Sequence, residues 1–346
     1  MRRHLNTLYV TTENAWLHKD GENIVVKVDG SEQARVPIHI LGSVVCIGTL
    51  GATPALLGHC ARKGVSVTFT ARSGRFLARM EGPTTGNVLL RRTQYRAADN
   101  TDQLGALASH IVAGKIHNQR TVVRRALRDH GATMGADGRE RLRACEQRLT
   151  NAARRAAHGR EVDSVRGVEG EAARAYYEVF GDLTRREDGC FAFDGRSRRP
   201  PLNPMNALLS FLYTLLVHDC RSALEAAGLD PAVGFLHSER PGRPSLALDL
   251  MEELRPAFAD RLALSLVNRR QLSGDDFATA VSGAVTLDER ARKSVIVAYQ
   301  TRKQDELTHP FLQEKTTWGL VPFIQAKQFA AHLRGDLDAY PPFLWR

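Results

Sequence analysis

The chain has 346 residues, 43% hydrophobic and 25% charged, the balance of an ordinary globular protein with room for two cored domains. No apolar run approaches the roughly 18 residues of a membrane span, and no sustained apolar stretch follows the basic start of MRRHLNTLYVTTENAWLHKD, so neither a membrane helix nor a secretory signal is expected. A formal charge of +10 points instead to a polyanionic partner, most commonly nucleic acid.

From the N-terminus, LNTLYVTT, AWLHKDGENIVVKVDG, QARVPIHI, SVVCIGTL, VSVTFTA and GRFLARM read as strands. They are short, often alternate in polarity, and are rich in Val, Ile, Thr and aromatics. KDGEN, VDGSE and ARSG supply the turns. One helix interrupts them: TPALLGHCARKG offers Thr53 as N-cap, Pro54 in the first turn and Gly64 just past the end. KGVSVTFTARSGRFLARM then reads as a closing hairpin. The prediction is a β-rich domain over residues 1–88, followed by a linker at 89–100 that continues from EGPTTGN into RRTQYRAADN.

Over 101–346 the period becomes helical. DQLGALASHIVAGKIHNQRTVVRRALRDHG, GRERLRACEQRLTNAARRAAHG and VEGEAARAYYEVFGDL each predict a helix. PLNPMNALLSFLYTLLVHDCRSALEAAG predicts a long central helix capped by Gly228, and SLALDLMEELRPAFADRLALSLVNRR a helix or helix pair around Pro256. The expected fold is α+β and multidomain, an N-terminal strand-rich domain preceding a larger helical one.

Cys46, Cys60, Cys145, Cys190 and Cys220 are odd in number and never spaced C-x-x-C, which predicts reduced thiols in the cytoplasm rather than a disulfide framework or zinc ribbon. Positive charge gathers between Gly114 and Arg166, where Lys115, Arg120, Arg124, Arg125, Arg128, Arg154, Arg155, Arg160 and others far outnumber acids. The planar fork of arginine suits phosphate, so this segment is read as a surface that follows a nucleic-acid backbone.

Three places put acids or a histidine where a core-facing residue is expected. Counting helical steps back from Tyr176, Glu169 falls near the apolar face of GVEGEAARAYY, close to the start of its helix, whereas Glu171 and Glu178 face water. His237 sits in the Gly/Pro-rich GFLHSERPGRPS. Asp249 begins an acid cluster inside the apolar LALDLMEEL, where Glu252 and Glu253 can each share a helix face with it, and spacing alone does not choose between them. Glu, His and a further carboxylate form an oxygen and imidazole set suited to Mn²⁺ or Mg²⁺ and able to hold Zn²⁺. The plainer alternative is a hydrogen-bonded loop histidine, a first-turn acid and a solvated acidic face.

GVEGEAARAYY, PLNPMNALLSFLYTLL, GFLHSERPGRPSLALDLMEELRP and VNRRQL, in that order, resemble the CRISPR-associated adaptation integrase, the Cas-one family. The resemblance spans essentially the whole chain, and GNVLLRRTQYRA and LVNRRQL are similar to its type I-C branch. It implies a metal-dependent DNA endonuclease and integrase of antiviral defence, which inserts prespacer DNA into a CRISPR array. The 3′-hydroxyl of the prespacer attacks a phosphodiester at the repeat edge. It implies Mg²⁺ or Mn²⁺ held by Glu169, His237 and Glu252, with Asp249 a further candidate ligand. Glu253, about 100° around the helix from Glu252, is then expected to have no part in the site. Tyr176, Asn206 and Tyr213 match polar family positions beside the site. Arg120, Arg124, Arg125, Arg154, Arg155, Arg269 and Arg270 are the candidate DNA contacts. The implied partners are DNA, a second copy of the chain through the β domain, a small second adaptation protein and an iron–sulfur nuclease. The rivals are a non-catalytic nucleic-acid-binding protein with a structural His/Asp/Glu cluster, and a small-molecule metallohydrolase that would leave the arginines without a role.

Overall fold

The computed structural model describes residues 6–72, 76–80, 88–159, 161–186 and 189–346. Residues 1–5 of the basic N-terminal stretch, 73–75 of the hairpin turn, EGPTTGN at 81–87 and Arg160 lie outside them. The chain divides into two units, Met1–Gly86 and Asn87–Arg346.

The first unit holds β1 (Asn6–Val10), β2 (Trp16–Asp20), β3 (Asn23–Val28), β4 (Ser31–Pro37), β5 (Leu41–Ile47), β6 (Gly51–Ala52), helix α1 (Pro54–Lys63), β7 (Ser66–Thr70) and β8 (Phe76–Met80). They form two four-stranded sheets, ordered β1-β5-β7-β8 and β4-β3-β2-β6. β7 and β8 pair antiparallel, as the expected hairpin, while β5 lies parallel to both β1 and β7. Leu17, Ile24, Val26, Val44, Cys46 and Val67 alternate inward to meet Leu56 and Cys60 of α1. The α1 boundaries follow the local code. Thr53 Oγ1 accepts from Leu56 N at 3.3 Å, and Gly64 closes the helix at φ 67°, a conformation glycine adopts without Cβ strain.

The second unit begins with α2 (Val88–Asp99), which occupies the stretch expected to be a linker. Its buried face explains the difference: Leu90, Gln94 and Ala97 recur at helical spacing, and Gln94 Nε2 donates to the Asp230 and Val233 carbonyls at 2.8 and 3.0 Å. The basic RRTQYR sequence concealed that stripe. Next come α3 (Thr101–His130), α4 (Ala136–Ala157), α5 (Val162–Glu178) and α6 (Pro204–Ala227), the last capped by Gly228 as expected.

α7 (Ser245–Leu254) runs through one π-helical segment at Arg255–Asp260 into α8 (Arg261–Asn268). Pro256 therefore lies in a continuous but widened helix rather than at a break. Two short antiparallel ribbons depart from the helical expectation. β9 (Phe277–Thr279) pairs with β10 (Val285–Leu287), and, after α9 (Glu289–Gln304), β11 (Glu306–Thr308) pairs with β12 (Lys315–Thr317). Three-residue strands are too short to carry a period of two. Helix α10 (Val321–Arg334) follows them.

α3 is the axis of this unit and packs against α4, α5 and α7. Its buried positions Ala108, Ile111, Val112, Gln119 and Val122 recur at three- and four-residue steps, and Lys115 falls among them. Among the described residues no helix is long and apolar enough to cross a membrane. Cys46, Cys60, Cys145 and Cys220 are buried free thiols, and burial pushes Cys46 and Cys145 up to about 12.

A buried charge cluster as candidate active site

α3, α5, α7 and the loop before α7 each contribute to one cluster. Glu252, on α7, is 2% exposed. Its Oε1 receives Arg255 Nη1 at 2.8 Å and faces His237 Nε2 at 3.7 Å. Its Oε2 lies 2.7 Å from Lys115 Nζ, without forming a well-aligned hydrogen bond there. The same ammonium also contacts Glu169 Oε1 from α5. Glu169, Glu252 and His237 therefore converge, and Lys115 stands between the two glutamates.

Electrostatics keeps Glu252 and Lys115 charged. Burial alone would raise the Glu252 pKa, but Arg255, Lys115 and His237 outweigh it and hold the carboxyl well below its ordinary range. Burial would likewise discharge Lys115, yet Glu252 and Glu169 raise its pKa despite opposition from Arg255. Arg255 is itself fixed, its guanidinium 4.8 Å over the Tyr213 ring.

Asp249 orients His237. Its Oδ2 accepts from Phe235 N and Leu236 N at 2.6 and 3.0 Å, and its Oδ1 from His237 N at 2.9 Å. That same Oδ1 lies 2.7 Å from His237 Nδ1, so His237 presents Nε2 to the cluster. Gly234 permits the loop to lie this close: a Cβ there would meet Ser245 Cβ at 2.7 Å and Asp249 Oδ2 at 2.9 Å. Both Asp249 oxygens are thus engaged by the His237 loop.

One expectation about a neighbouring acid is corrected. Glu169 was expected near a helix start, but α5 begins at Val162 and the first-turn acid is Asp163, so Glu169 lies mid-helix. Glu253, expected to have no part in the site, is fully buried. Its Oε1 accepts from Tyr340 Oη at 2.5 Å and Gln325 Nε2 at 3.0 Å, and its Oε2 from Phe343 N at 2.8 Å. It fastens the C-terminal segment to α7. A 100° turn around α7 leads to another buried face, because α7 is enclosed on all sides. Glu171 and Glu178 do face water, where they pair with Arg155 and Arg148.

The remaining candidates divide. Tyr176 and Tyr213 donate to Asp260 at 3.1 and 2.5 Å, and Tyr213 connects to Glu252 only through Arg255. Asn206 belongs elsewhere: it accepts from Arg196 Nη1 at 2.7 Å and Ser197 N at 3.2 Å, and donates to the Gly195 carbonyl at 2.9 Å. Arg154, Arg269 and Arg270 are exposed, and Arg120 is half-buried. Arg124 is also exposed, with Glu146 at 3.2 Å. Arg125 is occupied by the C-terminal segment, stacked 4.1 Å over Trp345 and donating to the Arg346 carbonyl. Lys115, counted with the backbone-following charges, is instead internal. Its position on the apolar face of α3 was the sequence signal that sets it apart.

Among the described residues, no group of three His, Cys, Asp or Glu stands in metal-binding geometry. The donor chemistry nevertheless fits a divalent cation. Two carboxylates and an imidazole nitrogen are the ligands such an ion takes; the carboxylates already share a positive charge, and the imidazole faces one of them.

The family model described as CRISPR associated protein Cas1 matches residues 8–301. A CRISPR-associated endonuclease Cas1 from Rhodospirillum rubrum is 56% identical over 347 residues, covering 100% of both chains. Two solved structures share the fold. A chain of a Cas6-RT-Cas1–Cas2 complex aligns with TM-score 0.83 and 23% identity over 99% of this chain and 36% of that one. A casposase bound to integration product aligns with TM-score 0.81 and 20% identity over 99% of this chain and 95% of that one.

Proposed function

The chain belongs to the CRISPR-associated Cas1 family, and from that premise we propose that it is the endonuclease and integrase of CRISPR adaptation, using a divalent metal to join prespacer DNA to a repeat. The observation that supports the metal site is that Glu169 and Glu252 meet on the buried Lys115 ammonium while His237 Nε2 faces Glu252 Oε1 at 3.7 Å. In the reaction a prespacer 3′-hydroxyl attacks phosphorus at the repeat edge. The new P–O bond forms as the P–O3′ bond of the repeat strand breaks, and the departing 3′-oxygen ends as a hydroxyl.

Glu169, Glu252 and His237 would hold Mg²⁺ or Mn²⁺, which when bound supplies the charge that polarises a scissile phosphate. The protein's own groups prepare for it. Asp249 fixes the histidine tautomer, with the proton on Nδ1 and the Nε2 lone pair toward the glutamates. Arg255 holds the Glu252 carboxylate in place and ionised. Exposed Arg154, Arg269 and Arg270 offer contacts to the DNA backbone.

We also assign the chain to the type I-C branch, on GNVLLRRTQYRA and LVNRRQL. A Cas2-like second adaptation protein, an iron–sulfur nuclease and a second copy paired through the β unit are the proposed partners. The Cas6-RT-Cas1–Cas2 neighbour supports the first of these by its name.

The test compares Glu169→Ala, His237→Ala and Glu252→Ala for strand joining, strand cleavage and DNA binding with Mn²⁺ or Mg²⁺. Each should abolish joining and cleavage and leave DNA binding nearly intact. Asp249→Ala should lower activity by about 10- to 100-fold, the usual cost of losing the group that orients a metal ligand. Full activity without divalent metal, or in the Glu252→Ala variant, would leave this cluster a structural role and overturn the metal site, whereas DNA binding with no joining or cleavage in the parent would favour the non-catalytic rival.

A further inference from the structure

We propose that Lys115 is the resident counter-ion of the Glu169–Glu252 pair, occupying the metal position with its ammonium until a divalent cation displaces it; this rests on the metal-ligand reading above. Lys115 is 4% exposed, and α3 delivers its side chain into the centre of the helical unit. Nζ contacts Glu169 Oε1 and lies 2.7 Å from Glu252 Oε2. A divalent cation held by these two glutamates would take the place of that ammonium. The other Glu252 oxygen is held by Arg255 at 2.8 Å.

Charge balance makes occupancy exclusive. Without metal, the two carboxylates are offset by two cations, Lys115 and Arg255, which is the condition for burying such groups at all. A divalent cation added to this balanced set would place two further positive charges at touching distance from the ammonium, in a site with little water to screen them. One of the cations must then withdraw. Arg255 is stacked over Tyr213, whereas the lysine is a compact charge on a flexible four-carbon stem. The lysine therefore keeps the glutamates gathered before loading, and it competes with the metal for them. Metal affinity is set by the difference between those two occupants.

Mn²⁺ uptake, read from the signal of the free ion by electron paramagnetic resonance, tests this on the full-length protein alongside melting temperature. Lys115→Met should melt lower than the parent without metal. It should bind Mn²⁺ roughly tenfold or more tightly, because an uncompensated carboxylate pair gains more from the cation. Lys115→Arg, whose rigid fork retracts less readily, should bind Mn²⁺ more weakly than the parent. Should Lys115→Met fold poorly, Lys115→Gln carries the same expectation of tighter binding. A folded Met or Gln variant with parental or weaker Mn²⁺ affinity would overturn the proposal. Glu252→Gln separates the two readings. If it binds Mn²⁺ as the parent does, or the parent binds none, the ligand assignment fails and the lysine's role with it. If Glu252→Gln loses binding and Lys115→Met gains none, only the lysine's role fails.

Discussion

Glu253 and Asp260 illustrate how buried acids serve the helical unit in different ways. Glu253 accepts from Tyr340, Gln325 and the Phe343 amide, and burial raises its pKa to about 7 against those three hydrogen bonds. Removing the acceptor leaves buried donors unmet, so Glu253→Ala should destabilise the protein by about 3 kcal/mol, measurable by urea denaturation. Asp260 is also buried, which raises its pKa to about 6 although the Tyr213 and Tyr176 hydroxyls and Arg255 pull it down. An acid raised on folding binds its proton more tightly in the native state, so its contribution is largest in acid and is lost as pH rises through the folded value. Between about pH 5 and about pH 7.5 the parent should lose about 1 kcal/mol relative to Asp260→Asn, whose amide does not titrate. Parallel pH–stability curves for the two proteins would place the ionisation of Asp260 outside that window.

At the scale of elements, the helix ends are set locally and the joints between helices are not. Asn203 caps α6, its Oδ1 accepting from Asn206 N at 2.8 Å, with Pro204 beside it and Gly228 at φ 83° past the far end. Asn203→Ala should cost about 1 kcal/mol, read by denaturation, and leave Mn²⁺ binding unchanged, since the cap makes no contact with the charge cluster. The α7–α8 joint behaves differently. Pro256 lacks an amide hydrogen and would ordinarily mark a kink, but a π-helical segment carries the chain through it. Arg255 thus begins that segment three residues beyond Glu252, within an ion pair of it. Pattern alone offered a helix or a pair of helices here, because proline signals a disturbance without saying how the backbone absorbs it.

For the whole molecule, the excess of ten positive charges should make DNA binding strongly salt-dependent. Arg269→Gln with Arg270→Gln should flatten the slope of log affinity against log salt by about one unit for each phosphate no longer neutralised. Arg125 should behave otherwise. It stacks on Trp345 and holds the C-terminal segment, so Arg125→Ala should lower the melting temperature while changing the slope little. An unchanged slope in the Arg269/Arg270 variant would assign those residues to a surface away from DNA.

The sequence by itself determined the order of the two units, the hairpin of β7 and β8, the caps of α1 and α6, and the family, because each depends on a short run of neighbouring residues. It also singled out Glu169, His237 and Glu252, through motif resemblance and through acids interrupting apolar faces. What it left open depends on distant partners. α2 was hidden because the residues that bury Gln94 lie 136 and 139 positions away. The contacts of Glu253 and Arg125 with the C-terminal segment were not legible, because that segment reaches them only when the chain has folded. Lys115 looked like one more surface charge until α3 packed against α5 and α7. A buried ammonium is tolerable only between carboxylates, and only the tertiary structure could bring the two glutamates to it.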